Sequence, residues 1–414
     1  MVSALDFVGR VVDFFLSRTI EVFKAWKWES LDDVGMIKIA YVSSYPPREC
    51  GIATFTKDLV IASNRLGIFR NPMVVAMNEK ETIYNYDRFV RCQIRRDFPE
   101  DYVEAAAYVN SSKADLVNLQ HEFGLFGGEW GEYINLFLEK LQKPMVSTLH
   151  TLSASFEPKA QTVLKQIAKH SSKIVTMTNT ATQILMSYDV PREEIEIIQH
   201  GCPDVPFVDS NKVKPSLFGL KGKIVLSTFG LIGRSKGIEY VIKALPEVVE
   251  KQPELIYLVI GETHPEVRKF EGERYRKYLI KLVDDLDLNE HVKFHNRFLL
   301  EHELIKYLQA TDIYLSPYPE PNQISSGTLV YAMGTGKAII ATPYLHAKEA
   351  LAEGRGLFCK FRDHKSVTEG INQLLEDEKL RRNIQRKVYS YSRDFTWPIV
   401  AKRYAELYRR ILDN

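Results

Sequence analysis

The chain has 414 residues, too many for one ordinary hydrophobic core, so its length predicts two domains. Its 55 Lys and Arg residues nearly balance its 53 Asp and Glu residues, and a formal net charge of +2 argues against a dedicated nucleic-acid-binding protein. The cysteines lie far apart, at Cys50, Cys92, Cys202 and Cys359, without the spacing of a zinc site or a small disulfide framework.

Residues 5–27 have the periodicity of an amphipathic helix, and we assign residues 1–35 to an N-terminal helical extension. The polar face mixes charges of both signs, whereas membrane-surface helices usually carry a face rich in Lys and Arg. Packing against protein, including contact within an oligomer, is therefore favoured, with peripheral membrane contact as the alternative. Because charged residues interrupt every apolar stretch, we predict neither a membrane-spanning helix nor a signal peptide and expect a cytoplasmic protein.

Residues 36–200 alternate buried-strand patterns with helical patterns. This alternation predicts a parallel sheet with right-handed crossovers, and thus a first Rossmann-like domain. The predicted strands are 37–43, 73–76, 116–119, 145–149, 174–177 and 195–198, and helical patterns cover 129–141 and 158–170.

Residues 201–223 are rich in Pro, Gly and polar residues and are assigned as an interdomain linker. The pattern then restarts over 224–395, which predicts a second Rossmann-like domain. The last segment, 396–414, has helical periodicity and is expected to cross back to the first domain. In the second domain the predicted strands are 224–228, 255–260, 292–294, 313–315 and 338–341, and the predicted helices are 237–250, 265–286, 301–309 and 326–334.

Three residues of the first domain lie where ligands bind in open parallel sheets, beyond the carboxyl ends of strands. Gly51 directly precedes a predicted helix, where the missing side chain would let backbone N–H groups approach a phosphate or a sugar; a tight turn would need the same residue. His121 and His150 each end a predicted strand. Either a contact to a sugar or a structural, hydrogen-bonded role fits such a histidine.

Two cations follow the first strand of the second domain. Arg234 and Lys236 lie near the start of a predicted helix, where they could neutralise a diphosphate. A solvated basic turn would have the same sequence.

The segment Ser325, Ser326, Gly327 and Thr328 opens another predicted helix. A helix N-terminus carries about half a positive charge, and its first N–H groups face outward, so we predict a phosphate-binding site here. Asp285 and Asp287 match a short Asp-x-Asp metal-binding pattern, but they close a predicted helix, so no metal site is predicted.

From about residue 36 to 412 the order of motifs resembles glycosyltransferase family 4, a retaining family with the GT-B fold. The variants QHEFGLFGG, GETHPEV and NQISSGTLVYAMG resemble a bacterial and archaeal subgroup associated with mannosyl transfer. The motifs that carry the resemblance are the glycine loop at Gly51, HGCPDVPF, FGLIGRSKG, YLVIGETHPEV, VKFHNRF, DIYLSPY, AMGTGKAIIATPY and a terminal helix that begins with FTW.

The resemblance implies two Rossmann-like domains that face each other across a cleft and bind a nucleotide sugar on the second domain. Lys236, with or without Arg234, would stabilise the leaving diphosphate together with the N–H groups of residues 325–328. No metal or other cofactor is implied, because cations and a helix terminus already serve the phosphates.

The resemblance also assigns residues to the two ends of the donor. His150 and His121 would contact the donor sugar or the acceptor. Glu262, Arg297 and Phe298 would frame the base.

The sequence departs from the family at two motifs. The Glu-x7-Glu pair falls at Gln323 and Tyr331, and Glu320 could take over the first role if the loop is rearranged. The usual Arg falls at Leu231, which leaves Arg234 as its substitute. These departures leave the identity of the donor open.

The sequence therefore predicts a retaining transferase that moves a hexose from a nucleotide diphosphate sugar to a carbohydrate or small hydroxyl acceptor. Mannose from GDP-mannose is favoured, and glucose from UDP-glucose is the alternative. A nucleotide-sugar epimerase or a phosphorylase would use the same fold. A non-catalytic subunit that binds sugar nucleotides would explain the missing Glu pair.

Overall fold

The computed structural model describes residues 36–79, 82 and 84–413, so the predicted extension over residues 1–35, with its helix over residues 5–27, lies outside the described residues. In the first half of this part, seven parallel strands form one sheet in the order β3-β2-β1-β4-β5-β6-β7. They are β1 (Ile39–Ser43), β2 (Met73–Asn78), β3 (Val90–Arg95), β4 (Leu116–His121), β5 (Met145–Leu149), β6 (Lys173–Thr176) and β7 (Ile195–Ile197).

Helices cover this sheet, and the central strands are buried on both faces because helices pack on each side. Val42 of β1 pairs in register with Val75 of β2 and Leu119 of β4, and all three side chains are inaccessible to solvent. The helices that connect the strands are α1 (Gly51–Arg65), α2 (Pro99–Ser111), α3 (Ile134–Lys140), α4 (Pro158–His170) and α5 (Asn179–Met186).

A second sheet of six parallel strands has the order β10-β9-β8-β11-β12-β13. The β-branched and aromatic runs of its three central strands fill a separate core, in which Leu226, Tyr257 and Ile313 are fully buried. Its strands are β8 (Ile224–Phe229), β9 (Leu255–Ile260), β10 (Val292–His295), β11 (Ile313–Ser316), β12 (Ala338–Ala341) and β13 (Leu357–Phe358).

The helices of the second half alternate with these strands. A serine or an aspartate accepts a hydrogen bond from a first-turn N–H at several of their starts, as Ser326 does for the N–H of Leu329. The helices are α6 (Ser210–Val213), α7 (Ile238–Lys251), α8 (Pro265–Glu271), α9 (Arg274–Asp285), α10 (Glu301–Ala310), α11 (Gly327–Gly334), α12 (Leu345–Ala350), α13 (His364–Glu376), α14 (Glu378–Ser392) and α15 (Trp397–Leu412).

The last helix, α15, packs against α1 of the first half. The side-chain amide of Asn118 donates to the hydroxyl of Tyr408 at 2.8 Å, and the hydroxyls of Thr148 and Tyr404 lie 2.8 Å apart. Both tyrosines are fully buried. The end of the chain is thus fastened to strands β4 and β5 of the first sheet.

The two parallel sheets confirm the predicted fold class. In both sheets the strand order reverses, between β1 and β4 in one and between β8 and β11 in the other. Ligands in such sheets bind in the crevice outside the carboxyl ends of the strands at this point. Across the described ranges, no helix combines the length and the apolar composition needed to cross a bilayer.

Two predicted helices were too long. The pattern over 265–286 is divided into α8 and α9, because the chain turns at Gly272 with a φ of +62°. The pattern over 129–141 is a short 3-10 turn followed by α3, and Trp130 within that turn has a φ of +55°, which no α-helix accommodates.

Candidate functional site

The carboxyl edges of the two sheets meet at the start of helix α11. The Ser325 hydroxyl donates to the backbone carbonyl of His150 at 3.0 Å. His150 directly follows strand β5 of the first sheet. A Cβ added to Gly327 would lie 2.8 Å from the Nε2 atom of His200. The first turn of α11 therefore lies directly against the carboxyl edge of the first sheet.

The polar groups at this helix terminus are partly engaged within the protein. His346 Nδ1 accepts the Ser326 N–H at 2.8 Å, and the Ser326 hydroxyl accepts the Leu329 N–H at 3.3 Å. Because the first N–H groups of a helix have no partner within it, the amides of Gly327 and Thr328 are the ones suited to face an anion. A phosphate at the predicted site would therefore be bound by the N–H groups of Gly327 and Thr328, and not by those of Ser326 and Leu329, which already have partners.

Lys236 reaches the same terminus through a tyrosine. It lies in a 3-10 turn after β8, and Gly237 then adopts a φ of +64° beside the carbonyl oxygen of Pro317, which a Cβ would approach to 2.1 Å. The Lys236 ammonium donates to the Tyr318 hydroxyl at 2.7 Å. That hydroxyl lies 2.7 Å from the hydroxyl of Thr328.

Arg234 has different neighbours. Its side chain is 62% exposed and lies 3.7 Å from the carboxylate of Glu271. Its guanidinium also lies 5.3 Å from the ring centre of Tyr275. Of the two predicted cations, Lys236 is the one that the structure joins to the α11 terminus.

The two predicted histidines are buried and neutral. His150 Nε2 lies 2.8 Å from the Oε1 atom of Gln120, and burial lowers the pKa of His150 to about 3. His121 stacks on Phe126 and meets Phe123 edge to face, and neither of its ring nitrogens has a hydrogen-bond partner among the described residues. Burial lowers its pKa to about 3 as well. Each can therefore act near pH 7 only as a neutral imidazole.

Gly51 begins helix α1 at the carboxyl end of β1. No atom lies within 4 Å of the place a Cβ would occupy. Its neighbour Cys50 provides no side-chain cap, so the first N–H groups of α1 are not bonded by that residue. The position offers open space for a ligand next to a helix terminus.

The residues predicted to frame a base follow β9 and β10. Glu262 forms an ion pair with Arg268, and Arg297 Nη2 lies 2.9 Å from the carboxylate of Glu303. Phe298 is exposed. These side chains lie at the carboxyl edge of the second sheet, but two of them already have charged partners.

Gln323 and Glu320 support the loop before α11. The Gln323 amide donates to the carbonyl of Ser325 at 2.6 Å, and the Gln323 carbonyl accepts the N–H of His346 at 3.1 Å. Exposed Glu320 accepts the N–H of Asn322 within its own turn at 3.2 Å. The carboxylate of Glu320 is thus bonded within its own loop in this structure.

Tyr331 is buried and donates a hydrogen bond to Asp58 of α1. Burial raises the pKa of Asp58 to about 7, and the bond from Tyr331 opposes that shift.

Four residues of this region were missed in the sequence: Asp58, His200, Tyr318 and His346. Tyr318 follows β11 by two residues. Like His121 and His150, it therefore lies at or just beyond the carboxyl end of a strand, and this position could have identified it as a candidate. The position of Asp58, inside α1, gives no comparable signal.

Two parallel-stranded domains whose carboxyl edges meet in this way define the GT-B fold. A crystal structure of an Anabaena protein in complex with UDP-glucose has this fold, with a TM-score of 0.69 and 16% identity over 90% of this chain and 100% of that one. The likeness supports the fold expected from the sequence.

Residues 210–391 match the family of glycosyl transferases group 1. An uncharacterized glycosyltransferase of Methanocaldococcus jannaschii is 26% identical over 61% of this chain and 62% of its own length. A GDP-mannose-dependent alpha-(1-6)-phosphatidylinositol monomannoside mannosyltransferase of Mycolicibacterium smegmatis is 22% identical over 56% of this chain and 60% of its own length. The chain thus spans about three fifths of the curated relatives it matches. These matches confirm the resemblance of the chain to glycosyltransferase family 4.

Proposed function

We propose that this protein is a retaining glycosyltransferase that moves a hexose from a nucleotide diphosphate sugar to a hydroxyl acceptor. The observation that carries the proposal is the arrangement of Lys236, Tyr318 and Thr328 at the start of α11. An ammonium and a helix N-terminus that lie two hydrogen bonds apart, at the meeting point of two sheets, form a site for a doubly charged phosphate group.

The chemistry asked of these groups is electrostatic. Cleavage of the sugar-phosphate bond places negative charge on the departing diphosphate while the sugar becomes oxocarbenium-like. Lys236 and the N–H groups of Gly327 and Thr328 would stabilise that charge. In the retaining reaction the acceptor hydroxyl attacks from the same face and gives its proton to the departing phosphate oxygen, so no protein nucleophile is needed.

Neutral residues of the first domain would complete the sugar end. His150 can donate or accept a hydrogen bond without adding charge, because its pKa is low. Its backbone carbonyl accepts the hydroxyl of Ser325 of the second domain, so His150 is a neighbour of the α11 terminus. His121 lies deeper, in an aromatic cluster, and would act on the sugar only through its neighbours.

The donor that we favour is GDP-mannose. The mannosyltransferase relative named above supports this choice, and the UDP-glucose complex of the Anabaena protein supports UDP-glucose as the alternative. The base would lie towards Glu262, Arg297 and Phe298. Product analysis after incubation with GDP-mannose, UDP-glucose and ADP-glucose decides between these donors.

A non-catalytic sugar-nucleotide-binding subunit is the second candidate, because Gln323 and Tyr331 occupy the positions of the family's two carboxylates. Turnover separates the candidates. If Lys236 stabilises the developing charge, Lys236→Ala should lower the rate of sugar transfer by about 100-fold or more, because loss of one group that stabilises the transition state has an effect of that size. The control is Lys243→Ala, which removes an exposed lysine from α7. Failure of the wild-type protein to bind UDP or GDP, measured by calorimetry, would contradict both candidates.

A further inference from the structure

Tyr318 is held rigidly at the carboxyl end of β11. Its side chain is 3% exposed and its ring stacks on that of Tyr344, with the ring centres 5.0 Å apart. Its carbonyl oxygen accepts the Thr342 hydroxyl at 2.6 Å. Because ring and backbone are both fixed by packing, the position of the Tyr318 hydroxyl is fixed too.

The hydrogen bonds of this hydroxyl have a direction that follows from chemistry. A lysine ammonium has only donors, so Lys236 must donate and the Tyr318 oxygen must accept, at 2.7 Å. The single proton of Tyr318 is then free to donate to Thr328 at 2.7 Å, a better distance than the 3.4 Å to Ser326. Thr328 accepts this bond, so its own proton can be donated either to the Ser326 hydroxyl, which lies 3.2 Å away, or to a bound ligand.

The same residue separates two positive groups. The Lys236 ammonium lies 4.4 Å from the centre of the Tyr318 ring, so the ring face also holds the cation. The N-terminus of α11 is positive as well, and two positive groups that lie close together repel each other. An anion bound between them relieves this repulsion, and a diphosphate, with more charge and more acceptor oxygens than a monophosphate, relieves it most.

We propose that Tyr318 is a positioning residue of the donor-diphosphate site. Its hydroxyl holds the Lys236 ammonium beside the α11 terminus and donates to Thr328, so that the Thr328 proton can be given to a phosphate in place of the Ser326 hydroxyl. The proposal rests on the proposed function, because it assigns to Tyr318 a role in binding the leaving group.

The test compares Tyr318→Phe with Tyr257→Phe. The first variant keeps the ring under Lys236 and removes only the hydroxyl. The second removes another buried hydroxyl of the same domain, which donates to Thr228 at 2.8 Å. Dissociation constants for UDP, GDP, UMP and GMP are measured by calorimetry. We expect Tyr318→Phe to weaken binding of the nucleoside diphosphate about tenfold, as for the loss of one charge-assisted hydrogen bond, and of the monophosphate less than about twofold. Tyr257→Phe should change neither constant.

A double-variant cycle tests whether Tyr318 acts through Lys236. Tyr318→Phe should weaken diphosphate binding less in the Lys236→Ala background than in the wild-type protein, because one of the two groups that the hydroxyl positions is already absent. Thr328→Val should in the same way show a smaller effect in the Tyr318→Phe background than in the wild-type protein. In turnover, kcat should fall more than KM rises.

Three results would overturn the inference while leaving the proposed function intact: diphosphate binding by Tyr318→Phe within about twofold of wild type, equal losses for mono- and diphosphate, or additive effects in the cycle. Circular dichroism and the melting temperature verify that Tyr318→Phe is folded. If it is not, Thr328→Val alone must weaken diphosphate binding more than monophosphate binding, or the inference fails. Absence of nucleotide binding by the wild-type protein, in contrast, contradicts the proposed function.

Discussion

The hydroxyl of Tyr331 donates a hydrogen bond to the carboxyl group of Asp58, so that helix α11 of the second domain is tied to helix α1 of the first. Both residues are buried. Tyr331 stands where the resemblance places a ribose-binding glutamate, yet its side chain is used for contact between the domains. Where the resemblance implies a ligand-binding carboxylate, this chain thus has a hydrogen bond between the two domains.

Removal of this hydroxyl should destabilise the protein in a pH-dependent way. Tyr331→Phe leaves Asp58 buried without its donor, which costs about 1 to 3 kcal/mol of unfolding free energy. Burial raises the pKa of Asp58 to about 7, so the group is mostly protonated at pH 6 and mostly ionised at pH 8. The loss, measured by urea denaturation, should therefore be larger at pH 8.

The control for this variant is Asp58→Asn, which keeps an acceptor for Tyr331 but cannot ionise. Adding Asp58→Asn to Tyr331→Phe should remove the difference between pH 6 and pH 8. An equal loss from Tyr331→Phe at both pH values would show that ionisation of Asp58 does not contribute.

Acid should weaken the fold through its buried histidines. Burial lowers the pKa of His121 and His150 to about 3 and that of His200 and His346 to about 4. In the unfolded chain a histidine titrates near 6.5. Each buried histidine therefore contributes its full stabilisation of the folded state above about pH 6.5. As the pH falls from there towards the pKa of the histidine in the folded protein, the unfolding free energy decreases by about 1.4 kcal/mol per pH unit for each histidine. Asp58 acts in the opposite sense, because its pKa is raised.

Urea denaturation at pH 7.5 and pH 5.5 measures this loss, and we expect these five groups together to lower the unfolding free energy by about 3.5 kcal/mol, the opposing effect of Asp58 included. His121→Phe removes a histidine that has no hydrogen-bond partner among the described residues, so it should reduce the pH dependence without breaking a bond. An unchanged pH dependence in that variant would contradict the expected role of His121.

Elements with strong local patterns could be predicted from the sequence. The predicted strand 145–149 and helix 158–170 coincide with β5 and α4, because each is a continuous buried run or a periodic amphipathic run with clear ends. Strand β3 was not predicted. It lies at the edge of the first sheet and alternates buried or half-buried residues with exposed ones, two of them arginines, so it lacks the apolar run of a central strand.

The candidate site was predictable only in part, since local patterns give the ends of elements but not which elements are neighbours. Lys236 and Thr328 were selected because each follows a strand or opens a helix. The hydrogen bond that joins Lys236 to Tyr318 spans 82 residues and requires β8 to lie beside β11. That adjacency is a property of the strand order. The functional roles of these residues stay predictions.

Glu349 caps a helix of the other domain. Its carboxylate accepts the backbone and side-chain N–H groups of Asn179 at 2.8 Å, and the backbone N–H and hydroxyl of Thr180 at 3.2 Å. It lies at the N-terminus of α5, where negative charge is favourable. We expect Glu349→Gln to lower the unfolding free energy by about 0.5 to 1 kcal/mol and Glu349→Ala by about 1 to 2 kcal/mol.

Urea denaturation of these variants should be compared with Glu369→Gln, which removes an exposed carboxylate from α13 and should change stability by less than about 0.5 kcal/mol. The effect of Glu349→Gln should also shrink at high salt, because screening weakens the interaction of a charge with a helix terminus. A loss that matches the Glu369→Gln control would show that the cap contributes nothing to stability.

Substitution of Gly51 should separate folding from ligand binding. The glycine begins helix α1 and an added Cβ would meet no atom within 4 Å, so Gly51→Ala should leave stability unchanged or raise it by up to about 1 kcal/mol. If backbone N–H groups at this terminus approach the donor, the same methyl group should weaken binding of a nucleotide sugar by about tenfold, as expected when one hydrogen bond to a charged group is lost.

Gly124→Ala is the matched control, because its Cβ also meets open space. Calorimetry with GDP-mannose and UDP-glucose, together with thermal melting, measures both properties. Binding within about twofold of wild type would mean that Gly51 serves only the turn between β1 and α1.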